Sequence, residues 1–233
     1  GVAASERIFA EMYFAALSES CRLAQRLGPH ASFAGSPASR GALQFDMWAR
    51  TDYVHGAYGG RERWDALRRD IEQHGLRNSL LVAPMPTAST SQILGNTESF
   101  EPINSNLYQR TTLAGSFTVM NARLVAQLER HGLWNEETRN RLIRDRGSAE
   151  NLGLPPSVAQ LFRTAWQMSQ RWLIDHAAAR GMFCCQSQSL NLYVAAPTAA
   201  KLASMHVYAW KKGLKTGLYY LRTKAAVDTI QFS

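Results

Sequence analysis

The run Asn78-Ser79-Leu80-Leu81-Val82-Ala83 is apolar on consecutive positions from Leu80 and stops at Pro84-Met85-Pro86, after which Thr87-Ala88-Ser89-Thr90-Ser91 opens a short helical stretch. Apolar residues on both faces of a short run predict a strand covered on both sides, as in a parallel sheet or barrel. The hydroxyl cluster then falls at the carboxyl end of that strand, where the strand-to-helix loops of α/β barrels gather their sites. The first backbone N–H groups of a helix have no intrahelical partner and sit at the positive end of its dipole. Thr and Ser hydroxyls beside them complete an anion cradle that needs no lysine, and Ala88 lets a phosphate approach the backbone closely. The alternative is that Thr87 or Ser89 simply caps the helix.

Around this stretch the pattern alternates. Ser5 to Leu27 predicts an amphipathic helix with Ile8, Met12, Leu17, Leu23 and Leu27 as its apolar positions, closed by Gly28-Pro29, with Cys21 as packing. Phe33 to Trp48 reads as an ordered loop anchored by Phe45 and Trp48, Tyr53 to Gly60 as an exposed segment, and Glu62 to His74 as a helix burying Trp64, Leu67 and Ile71. Glu98 and Glu101 follow the hydroxyl cluster and are candidates for acid–base work, against the simpler reading of exposed loop carboxylates. Tyr108 to Val119 predicts a hairpin turning near Ala114-Gly115, and Asn121 to His131 and Asn135 to Arg146 predict helices. Pro155-Pro156-Ser157 announces a long helix, Val158 to Arg180, with Leu161, Phe162, Trp166, Trp172 and Leu173 packed at helical spacing. A strand from Gln186 to Val194, a helix from Pro197-Thr198 through Trp210 and a strand from Gly217 to Thr223 complete a βαβ grammar, so the fold class is α/β.

With 233 residues and 45% hydrophobic content one compact unit with one substantial core is expected, and no apolar run nears the roughly 20 residues that span a bilayer. The expectation is a soluble, cytoplasmic chain without membrane contact. Cys21, Cys184 and Cys185 make neither a disulfide framework nor a zinc site of ordinary spacing, and no metal is expected. The net charge is +8, and between His176 and Val227 seven basic residues stand with no Asp or Glu. Nucleic acid, an acidic protein, phosphorylated small molecules and a merely solvated face all suit such a region. No recognised nucleic-acid motif accompanies it, so nucleic acid is not expected as a partner.

Several blocks together resemble the C-terminal part of the large, catalytic subunit of class I ribonucleotide reductase, of the eukaryotic or viral type. They are Arg77 to Leu81 running into Ala83-Pro84-Met85-Pro86-Thr87-Ala88-Ser89-Thr90, and Gln92-Ile93-Leu94-Gly95-Asn96 with Glu98-Ser99 and Glu101-Pro102. Further on come Gln186-Ser187-Gln188-Ser189-Leu190-Asn191, Ser204-Met205-His206, Trp210-Lys211, Gly213 to Gly217, and Tyr219-Tyr220-Leu221-Arg222-Thr223. Cys185 stands where the family usually has an acidic residue. The resemblance implies the second half of a ten-stranded α/β barrel, residues 1–233 forming the C-terminal portion of that barrel domain. It also implies an oxidoreductase that makes deoxyribonucleoside diphosphates from ribonucleoside diphosphates by thiyl-radical chemistry, for DNA synthesis.

By the same resemblance Thr87, Ala88, Ser89 and Thr90 bind the substrate diphosphate, and Tyr219 and Tyr220 pass a radical equivalent from a di-iron tyrosyl radical on a small partner subunit. From the residues alone the two tyrosines are ordinary strand aromatics, and since neighbours on a strand point to opposite faces, contact between them requires a local bend. The implied partners are the small subunit, a second large subunit and the missing first half-barrel. The small subunit's C-terminal peptide is expected on helices around Leu161 to Leu173 and Ala199 to Trp210, and ATP or dNTP effectors belong to regions outside this sequence. The family's Asn-x-Cys-x-Glu segment is not in the chain. The expectation is therefore a fragment that is inactive alone, lacking the N-terminal regulatory region and the first half-barrel. The competing readings are an inactive scaffold that binds a protein partner and, from charge only, a nucleic-acid module.

Overall fold

The computed structural model describes residues 1–48 and 60–224, which divide into two compact units. Of the described residues the first comprises 1–48, 60–86, 171–190 and 198–220, and the second 87–170, 191–197 and 221–224; each has its own core, which corrects the expectation of a single one. Of the segment Tyr53 to Gly60, expected to be exposed, residues 53–59 lie outside the described residues and Gly60 opens the second helix.

In the first unit, helix α1 (Val2–Leu27) crosses helix α2 (Gly60–His74). The expected face of α1 is corrected in part: Leu17 and Cys21 are buried as expected, together with Phe9, Ala10, Tyr13 and Ala24, whereas Ile8, Met12 and Leu27 are exposed. Two apolar stripes compete on this alanine-rich helix, and the one carrying the aromatic rings wins because those rings bury more surface. Phe45 lies fully buried among them, 4.8 Å edge-on from Trp64 and 6.0 Å from Phe183. The loop bearing it is ordered as expected. It contains two 3-10 turns, Ala38–Arg40 and Gln44–Met47, and Arg68 clamps Asp46 through two bonds of 2.7 Å. Helix α2 buries Trp64, Leu67 and Ile71 and stops at Gly75, whose φ of 79° and close approach to Pro29 suit glycine alone.

The strand expected at Asn78–Ala83 is corrected to an irregular run without a ladder, with a bend at Ser79. Leu81 N donates to Cys185 Sγ, and Val82 and Pro84 carbonyls accept from Cys185 N and Ser189 N. Leu80 is exposed, so only part of the run is covered. A strand exists only where a neighbour completes its pairing.

The second unit opens with helix α3 (Ala88–Ile93), followed by the antiparallel hairpin β1 (Leu107–Thr112) and β2 (Gly115–Met120), in register Thr112↔Gly115. Helices α4 (Ala122–Arg130) and α5 (Glu136–Arg144) come next, and the Asn121 and Asn135 side chains accept N–H bonds from their first turns. Leu107, Leu124, Leu128, Leu142, Leu152 and Phe162 form this unit's core. At its edge the buried Asn106 amide donates to Gly147 O at 2.8 Å and Phe162 O at 2.9 Å, and accepts from Asn121 Nδ2.

The expected long helix Val158–Arg180 is also corrected. It breaks into α6 (Pro156–Ala159), 3-10 turns at Gln160–Phe162 and Ala165–Gln167, and α7 (Gln170–Gly181). Thr164 N and Oγ1 both donate to Gln167 Oε1, and this local bonding competes with the helix while Arg163 and Met168 go extended. Leu161 and Trp172, expected inside, are exposed.

Strand β3 (Asn191–Tyr193), helix α8 (Ala199–Lys211, capped by Thr198) and strand β4 (Tyr220–Arg222) close the chain, and β3 pairs with β4. The bonds Tyr219 N to Leu190 O and Val194 N to Arg222 O advance together along both strands, as in parallel pairing. The described residues thus hold helices and two two-stranded sheets, an α/β arrangement in which no barrel closes.

Two outcomes follow from these cores. Phe45→Ala should cost about 3–5 kcal/mol in urea unfolding followed through tryptophan fluorescence, whereas Leu113→Ser at the exposed hairpin turn should stay within about 0.5 kcal/mol. Cys184 is fully buried and burial pushes its thiol up to about 12; burial also raises Cys21. A thiol reagent at pH 8 should therefore label Cys185 in the native chain and reach Cys21 and Cys184 only on unfolding; native labelling of Cys184 would contradict this burial.

Candidate functional site

The cradle residues lie together on one surface segment. Thr87 holds the N-cap position of α3 but its side chain does not cap the helix. Instead Thr87 Oγ1 accepts from Ser99 N at 2.8 Å. The first amides bonded within the turn are Thr90 N and Ser91 N, both to Thr87 O, and Ala88 and Ser89 precede them. Ala88 has a φ of 30°, which places the chain in the left-handed half of backbone space where a non-glycine residue is strained. Ala88, Ser89 and Thr90 are exposed. The capping alternative is thereby set aside: Thr87 spends its acceptor on the loop that follows, and Ser89 lies inside the helix.

Of the two carboxylates after the cluster, Glu101 is not an exposed loop residue. It is buried, its oxygens accepting from Asn191 Nδ2 and the Tyr193 hydroxyl. Burial, with the carboxylate next to it, holds the Tyr193 phenol well above its usual value. Sequence reasoning missed Asn191 and Tyr193. Their i, i+2 spacing, which puts both on one strand face, was the available signal. Glu98 is half-buried, and its carbonyl accepts from Glu101 N.

Tyr219 and Tyr220 belong to the first unit. Their ring centroids are 4.3 Å apart at 56° between planes, and the hydrogen bond with Tyr220 raises the Tyr219 phenol. The bend required for such contact is present, since Tyr219 sits in a bend and only Tyr220 begins β4.

Three members of the basic region are tied down inside the first unit. Lys215 Nζ donates to Gln44 Oε1 and to the Cys184 and Cys185 carbonyls, with burial lowering its pKa. Arg180 is buried, donates to Gln188 Oε1 at 2.6 Å, and is brought down to about 10 by burial. Lys212 pairs with Asp175 at 2.9 Å, beside the Tyr208 hydroxyl that also donates to Asp175. The region is therefore not a uniform solvated face. Among the described residues no group of three or more His, Cys, Asp or Glu gathers to hold a metal, all three cysteines are free, and no helix is long and apolar enough to cross a membrane.

Comparison with known proteins bears on the whole chain. The family described as ribonucleotide reductase, barrel domain, matches residues 1–220. The chain is 51% identical to the ribonucleoside-diphosphate reductase large subunit of Caenorhabditis elegans over 98% of its own length and 28% of that protein. It is 53% identical to the Plasmodium falciparum large subunit with the same coverages, and 54% identical to that of Dictyostelium discoideum over 95% of this chain and 25% of that protein. The class Id ribonucleotide reductase alpha subunit of Actinobacillus ureae superposes with a TM-score of 0.69 at 26% identity, covering 97% of this chain and 34% of that one. The chain thus spans little more than a quarter of the curated relatives it matches. It belongs to the ribonucleotide reductase barrel-domain family.

Proposed function

We infer that this chain is the substrate-diphosphate and radical-transfer portion of a ribonucleoside-diphosphate reductase large subunit, forming part of the second half of a ten-stranded barrel. The observation that carries the reading is the Thr87 hydroxyl. It accepts from Ser99 N, so its own proton is left to donate to an anion, next to the exposed amides at the start of α3. Thr87, Ala88, Ser89 and Thr90 then hold a diphosphate by backbone and hydroxyl donors, with the dipole of the first turn in support.

Tyr219 and Tyr220 supply the second part of the reading. Two phenols in ring contact and joined by a hydrogen bond offer a short hop for an electron, while the proton moves between hydrogen-bonded oxygens. The radical equivalent enters from the di-iron tyrosyl radical of a small subunit. The reducing thiols come from the rest of the large subunit: the Asn-x-Cys-x-Glu segment is not in this sequence, Cys184 is buried with a raised thiol pKa, Cys21 is packed in α1, and Cys185 is the only half-exposed thiol of the three. A second large subunit, the first half-barrel and ATP or dNTP effector regions complete the assembly, and the location that suits it is the cytoplasm. The run Leu80 to Ala83, which has no ladder and only single bonds with Cys185, fits a strand whose further neighbours lie in that remainder.

Reduction of CDP by the large subunit carrying this sequence, together with its small subunit, tests the reading. Tyr220→Phe should abolish turnover and leave CDP binding intact, while Thr87→Val should raise the CDP KM by about tenfold, the loss of one hydrogen bond to a charged group. Failure of the assembled enzyme to bind any nucleoside diphosphate would sink the reading and favour the protein-binding scaffold.

A further inference from the structure

Glu101 is the carboxylate that the proposed chemistry leaves unused, and its setting is unusual. It is 9% exposed, and its donors Asn191 and Tyr193 are each 4% exposed. A carboxylate removed from water is costly unless its lone pairs are satisfied, and here both oxygens have a buried donor. Those donors sit on β3, about 90 residues along the chain. The receiving strand is held in turn. Tyr193 N donates to Gln170 Oε1 at 2.7 Å, and the Tyr193 ring meets Trp166 edge-on at 5.2 Å. Glu101 therefore fastens the end of one loop to a strand whose side chains are fixed by packing.

That loop begins at the cradle. Between Thr87 and Glu101 the chain closes on itself: Ser99 N donates to Thr87 Oγ1, Asn96 N to Ser91 O and Glu101 N to Glu98 O. Ser99 itself has a φ of 49°, a conformation that a non-glycine residue holds only when its surroundings impose it. The carboxylate of Glu101 lies two residues beyond Ser99, so releasing it frees the N–H that fixes which way the Thr87 hydroxyl proton points.

We propose that Glu101 is a positioning residue, which through Ser99 orients the Thr87 hydroxyl toward the diphosphate of a ribonucleotide substrate. The proposal rests on the cradle reading above and adds the group that sets the cradle's geometry. Glu101 touches no substrate in this account; it acts through Ser99 and Thr87.

The test measures CDP reduction and CDP binding in the assembled enzyme for Glu101→Gln, Tyr193→Phe, Thr87→Val and the double variant Thr87→Val with Glu101→Gln. Glu101→Gln keeps the size of the side chain and turns one acceptor into a donor; Tyr193→Phe removes one of the two donors and provides a second route should the first variant fold poorly. Each is expected to raise the KM and Kd for CDP by about tenfold with kcat within about threefold. If Glu101 works through Thr87, the double variant binds CDP no more weakly than Thr87→Val alone. An unchanged KM in Glu101→Gln and Tyr193→Phe while Thr87→Val raises it, or effects that simply add, would overturn the positioning role and leave the cradle standing. A uniform loss of kcat without change in KM would assign Glu101 to structure only, and also overturns the proposal. If Thr87→Val and Ser89→Ala leave CDP binding unaltered, the cradle itself fails.

Discussion

A polar group taken out of water must find its partners inside the protein, and each unit is built around side chains that meet this demand. In the first unit Lys215 directs its ammonium at three oxygens, two of them the carbonyls of Cys184 and Cys185, while Arg180 binds Gln188, whose amide donates to Ala177 O. In the second unit Asn106 bonds two carbonyls and a neighbouring amide, and Glu101 takes a donor on each oxygen. Lys215, Asn106 and Glu101 join segments far apart in sequence, whereas Arg180 and Gln188 close a shorter turn of the chain. They fix the loops with a geometry that non-directional apolar packing of the leucine and aromatic cores does not specify.

The placement of the helices was largely legible because their ends carry local chemistry. Asn121, Asn135 and Thr198 stand at N-caps and Gly75 follows the end of α2, each for reasons contained within a few residues. What escaped depends on distant partners. The stripe Ile8–Met12 and the stripe Phe9–Tyr13–Leu17 are both acceptable on a helix, and only Phe45, Trp64 and Phe183, brought from elsewhere, decide between them. The apolar run to Ala83 reads as a strand, but a strand is a relation between two segments, and its pairing here is reduced to single bonds with Cys185 and Ser189. Between Arg163 and Met168 the helix is replaced by a turn in which Thr164 and Gln167 bond each other, a short-range competitor that helical spacing of the large residues conceals.

The candidate site divides in the same way. Thr87 to Thr90 adjoin in sequence, so their clustering is guaranteed by the chain. Glu98 and Glu101 stand in the sequence as a pair of loop carboxylates, and nothing local distinguishes them. The difference lies in Asn191 and Tyr193, which only the folded second unit sets beside Glu101. The tyrosine pair is singled out by resemblance, and the bend that its ring contact requires follows from strand alternation alone.

That requirement sets the length of β4. A fully extended chain would carry Tyr219 and Tyr220 to opposite sides of the sheet and lengthen its ladder; rings 4.3 Å apart are bought by bending the chain at Tyr219, and the strand keeps three residues. Ring contact between sequence neighbours and an extended ladder exclude one another at this point. An edit that makes this segment a better strand, such as a β-branched residue at position 218, would thus pull the two phenols apart. Strand propensity and ring proximity are opposing quantities here, and the brevity of β4 marks which of the two this sequence favours.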